Sequence, residues 1–150
     1  MNANALEYIS APNFILFFIV LWISVSMLIS IIGGWRALSG DYRANFPYDG
    51  KKLRMKSVGM RWATSYGNCV TVGANKEGLY LSVLPIFRLG HPPLFIPWTD
   101  ISTEEGKQLF FFQVVKFKFI NHPNVPVVFS KRLAEKIFTM REESIRDISL

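Results

Sequence analysis

"LFIPWTDI", residues 94–101, is an apolar run cut by Pro97 that ends in a Thr-Asp pair before Ile101. Ile96 and Trp98 stand two apart, so on an extended chain they share one face, and that face is assigned to a core. Proline cannot donate to a sheet ladder, which places the stretch at a strand edge or a bulge. We read it as architecture and not as the lip of a working site, with Thr99 and Asp100 starting a turn toward "STEEG".

The flanking sequence repeats the β signal in both directions. Upstream, "NCVTV" and "GLYLSVL" are β-rich runs separated by "GANKEG", which has the residues of a short hairpin loop. The loop "PIFRLGHPP" then leads to Leu94. Downstream, "EEGKQ" reads as an exposed turn holding Glu104 and Glu105, followed by "LFFFQVVKFKF". The second half of that run alternates, with Val115, Phe117 and Phe119 inward and Lys116 and Lys118 outward. "NHPNVP" turns again into "VVF".

Nearer the start, "KLRMKSVGMRW" alternates but slips phase. Leu53 and Met55 are odd while Val58, Met60 and Trp62 are even, which predicts a bulge at Ser57–Gly59 or two strands. At the other end the period changes. Ser130 can cap a helix, and Leu133, Ile137 and Met140 form the stripe of one helix packed on a core. The expected fold is mainly β: six to seven antiparallel strands in a partly open barrel over residues 51–143, plugged by one C-terminal helix. Residues 144–150 form a charged tail.

Before the barrel the chain is of another kind. "FILFFIVLWISVSMLISII", Phe14 to Ile32, contains no charge, Pro or Gly. At about 1.5 Å per residue it reaches across roughly the hydrocarbon thickness of a bilayer. It is apolar on every face, and a chain of 150 residues has too little core to surround it. We therefore expect a transmembrane helix over residues 14–34, after a short N-terminal segment, 1–13, in which Tyr8 can reach the interface. A cleavable signal would want a basic start, yet Glu7 is the one charge ahead of Phe14.

Behind the span, Arg36, Arg43, Lys51, Lys52, Arg54, Lys56 and Arg61 face only Asp41 and Asp49. Cations beside a span stay on the cytoplasmic side, which predicts a single-pass protein of the cell inner (plasma) membrane, N-terminus outside and domain in the cytoplasm. A lone Cys69 within "NCVTV" suits that compartment and reads as a small packed residue. Ser26, Ser30 and Gly34 share one helix face that a second helix could approach. In the juxtamembrane linker, residues 35–50, Trp35, Leu38, Tyr42 and Phe46 make an apolar stripe. Trp35 and Tyr42 are expected as interfacial anchors, with packing on the following domain as the alternative.

The hairpin "VTVGANKEGLYLS", the strand "IPWTDI" and the closing helix "SKRLAEKIFTM" resemble pleckstrin-homology and GRAM-like barrels. More narrowly, "GWRALSGDYR" and "GLYLSVLPIFRLGHPPLFIPW" behind a span are similar to a family of small bacterial single-pass membrane proteins. The likeness covers about residues 33 to 140 and implies a cytoplasmic barrel. Pleckstrin-homology proteins hold phosphoinositides on a basic loop or serve as protein docks, but no lipid-binding motif matches here residue by residue.

Catalytic signatures are scarce. His91 and His122 both sit in loops beside Pro, and no CxxC, HExxH, GxSxG or phosphate-cradling glycine loop occurs. No cofactor is expected. Nor is nucleic acid: the cations cluster beside the bilayer and do not interleave with aromatics along a groove. The expectation is a non-catalytic, membrane-anchored scaffold docking on other membrane protein subunits or on itself. The alternative binds anionic lipid through Arg36, Arg43, Lys51, Lys52, Arg54 and Lys56. A third and weaker reading is an enzyme using Arg88 and His91.

Overall fold

A computed structural model describes residues 11–61 and 64–149. Residues 1–10, with Tyr8, and Trp62 lie outside them. The apolar run forms one helix, α1 (Ala11–Gly33), long and apolar enough to cross a membrane. It ends at Gly34, whose φ of 85° is open to glycine at little cost, and α2 (Trp35–Tyr42) starts at once.

Seven antiparallel strands follow: β1 (Lys52–Met60), β2 (Thr64–Ala74), β3 (Gly78–Val83), β4 (Leu94–Pro97), β5 (Ile101–Gln108), β6 (Phe112–Phe119) and β7 (His122–Ser130). Helix α3 (Lys131–Arg146) closes the domain, its first turn capped by the Ser130 hydroxyl, which accepts from the Leu133 amide. The sheet order is β4-β3-β2-β1-β7-β6-β5. β4 and β5 are therefore opposite edges, yet only Trp98, Thr99 and Asp100 separate them. The four steps from Pro97 to Ile101 reach about 14 Å at most, so the sheet is rolled until its edges meet at this corner. The Trp98 amide donates to Glu77 and the Ile120 amide to Asp100, pinning both edges there.

The core lies inside the roll. Val58, Met60, Val70, Val72, Leu79, Leu81, Ile96, Phe117, Phe119, Val127 and Phe129 point inward, and Leu133, Ile137 and Met140 of α3 cover them. Pro97 sits on edge strand β4, where a missing donor costs no ladder bond. Trp98 is only half-buried and belongs to a 3-10 turn; its indole donates to Asn75 and Arg141 lies over the ring at 4.6 Å.

Several expectations need correction. Glu104 and Glu105 lie in the middle of β5, paired with Lys116 and Val115, and the turn falls later, at Leu109–Phe111. The irregularities of β1 lie between Leu53 and Val58, with Met55 at φ 54°, starting before the expected bulge. Trp35 and Tyr42 are not interfacial anchors. Trp35 is fully buried, its ring centroid 5.6 Å from those of Tyr66 and His91, and Tyr42 packs on Phe119 and donates to Asp100. The stripe of α2 faces the chain's own domain.

Candidate functional site

Ser26 and Ser30 are buried, although the rest of α1 is almost wholly exposed. The Ser26 hydroxyl donates to the Leu89 carbonyl at 3.2 Å, Ser30 donates to Gly90, and the Trp22 indole donates to Ile86 at 3.3 Å. The small-residue face is thus filled by the loop Leu84–Pro93 of the same chain, not left open to a second helix. Gly34 serves the turn: a Cβ there would lie 2.5 Å from Val125.

The same loop carries His91, 2% exposed. The Phe87 carbonyl can only accept, so His91 Nδ1 donates to it at 3.0 Å, leaving Nε2 to accept from the Tyr66 hydroxyl at 3.1 Å. Burial holds the imidazole below its ordinary pKa and pushes the Tyr66 phenol up. Both shifts favour the uncharged forms, and the polar atoms are spent on one another and on the Phe87 carbonyl, an arrangement that fixes a ring in place. Between α1 and β2 lies a cavity of about 250 Å³ lined by Trp22, Val25, Ile29, Tyr66, Phe87 and His91. Arg88 is exposed and enters no ion pair among the described residues. Cys69 is half-buried, and burial raises its thiol pKa, away from a reactive thiolate. Among the described residues no cluster of His, Cys, Asp and Glu could hold a metal.

The juxtamembrane cations do not converge. Arg36 is on α2, and Arg43 follows it in a bridge to Leu94. Lys51 pairs with Glu143 at 2.5 Å, and Lys52 lies 5.5 Å from the Tyr48 and Tyr80 ring centroids. Arg54 is exposed on β1. Lys56 alone of the six joins a basic cleft, with Arg132 and Lys136 of α3. Those two partners were missed in the sequence, although an i, i+4 pair of cations behind a helix cap was visible there.

The β5–β6 tip was also missed. Leu109, Phe110, Phe111 and Phe112 are 74%, 92%, 86% and 65% exposed, and Leu109 and Phe110 take φ values of 50° and 63°. Left-handed backbone normally calls for Gly or Asn. An unbroken run of Phe with no turn residue gave no signal that the chain reverses there. No family model, curated protein or solved structure matches the chain.

Proposed function

We propose that this chain is a membrane-anchored, non-catalytic interaction module. Helix α1 crosses the plasma membrane with its N-terminus outside, and the cytoplasmic sheet, read as pleckstrin-homology-like from its roll and its closing helix, docks on a membrane protein complex. The observation that carries this reading is the β5–β6 tip. Four large apolar side chains at a hairpin turn contribute little to the core and hold two residues in a disfavoured backbone region. Such a tip suits an apolar pocket on a partner.

The test is purification of the tagged chain from its own host in mild detergent. A stoichiometric companion should be present, be lost from the F110S/F111S variant and be kept by I148S, a change at another exposed apolar site. A wild-type chain that purifies alone would sink the reading; a companion retained by the tip variant would move the contact elsewhere.

A second reading rests on the cleft of Lys56, Arg132 and Lys136, a concentration of positive charge suited to an anionic headgroup. Here the full chain should co-purify with anionic lipid and lose it in K56E/R132E/K136E. Equal lipid in both preparations would count against this reading.

A further inference from the structure

Between Phe14 and Ile32 the only side chains with an N–H or O–H are Trp22, Ser24, Ser26 and Ser30. Ser24 bonds back to its own helix at Val20. The other three all donate to backbone carbonyls of the Leu84–Pro93 loop. They complete a run: Leu84 accepts from Phe87, Pro85 from Arg88, Ile86 from Trp22, Phe87 from His91 Nδ1, Arg88 from the His91 amide, Leu89 from Ser26 and Gly90 from Ser30. Every carbonyl from Leu84 to Gly90 therefore has a donor. Pro85, Pro92 and Pro93 bring no amide N–H to the loop, whereas the amides of Ile86, Leu89 and Gly90 have no protein acceptor among the described residues.

A surface loop in water needs no such accounting, because water satisfies it. Carbonyls at membrane depth do need it, since each one left without a donor costs several kcal/mol there. The outward side chains agree: Ile86 is 62% and Leu89 58% exposed, on either side of Arg88. Depth follows from α1. Ser30 lies three residues from Gly33 and Trp22 eleven, or about 5 Å and about 16 Å along the helix. One leaflet of hydrocarbon is about 15 Å thick.

We infer that the Leu84–Gly90 loop is embedded in the cytoplasmic leaflet of the bilayer, with Ile86 and Leu89 against acyl chains. Arg88 stands between them, its stem in hydrocarbon and its guanidinium directed toward the cytoplasmic headgroups. The partner of this surface is lipid, which makes the domain partly sunk in the membrane and not merely tethered below it. The inference rests on the reading that α1 spans.

The test uses the full chain with Cys69→Ala, reconstituted in phosphatidylcholine/phosphatidylglycerol vesicles. A single cysteine is placed at Ile86, Leu89, Phe18 or Ile145 and labelled with an environment-sensitive fluorophore. All four positions are exposed, so labelling leaves the core intact. The expected result is blue-shifted emission at I86C and L89C, quenched by nitroxides on the lipid chains as at F18C, while I145C is quenched by aqueous iodide. Iodide quenching at I86C and L89C with F18C still lipid-quenched overturns the embedded loop and leaves the span standing. Loss of lipid quenching at F18C as well overturns both. Protection of I86C and L89C from both quenchers would put protein over the loop and also overturn the inference.

Discussion

Gly34 joins two helices through one left-handed residue, with Val125 2.5 Å from where a Cβ would stand. G34A meets both the backbone strain and the clash, and should cost about 2 kcal/mol or more, read as a fall in Tm in detergent. His91 makes a pH-dependent case. Burial lowers its folded pKa, so below its unfolded value near 6.5 the unfolded chain binds the extra proton first. Stability contributed by neutral His91 is fully present above about pH 6.5 and is lost as pH falls from there toward the lowered folded value. Wild-type Tm should drop between neutral and mildly acidic pH more steeply than that of H91Q; parallel curves would remove His91 as the cause. Trp35 and Tyr42 show how far residue-level reading reaches. Their spacing revealed one buried face, but a period of 3.6 is the same whether headgroups or a sheet lie beneath it.

Among the elements, β5 was the hardest to see. "ISTEEGKQ" has both faces exposed and no alternation, because an edge strand outside the core is held by its ladder with β6 and not by burial. Charge guards that edge, with Glu104 2.5 Å from Lys118, a bond that holds the carboxyl below its ordinary pKa. Strands with one buried face, such as β6, were legible because their pleat writes itself into the sequence. The tip between β5 and β6 invites a sharper experiment than loss of binding. L109N/F110G supplies residues that accept left-handed backbone, and should stabilise folding by about 1 kcal/mol while releasing the companion. A variant both less stable and companion-free would show that the Phe residues serve the fold.

For the whole molecule, the decisive contacts join segments some sixty residues apart, Trp22 with Ile86 and Ser30 with Gly90. Nothing in either segment announced its partner. A serine on an apolar helix looks the same whether it packs on a second helix or bonds to a loop, and only the rolled sheet brings Leu84–Gly90 alongside α1. S26A/S30A should leave two carbonyls without donors at a cost of about 1 kcal/mol each. In detergent, where no bilayer shields the loop, protease should then cut the full chain there more readily than in wild type; an unchanged digest would mean the bonds hold nothing in place. The junction at Gly34 has a mechanical meaning too. With no slack between α1 and the buried α2, the domain cannot swing like a ball on a string. In the proposed setting it is a rigid bracket that turns only about the helix axis and carries Phe110 around a circle at one fixed height. Partners are selected by their elevation above the bilayer before any side chain meets them.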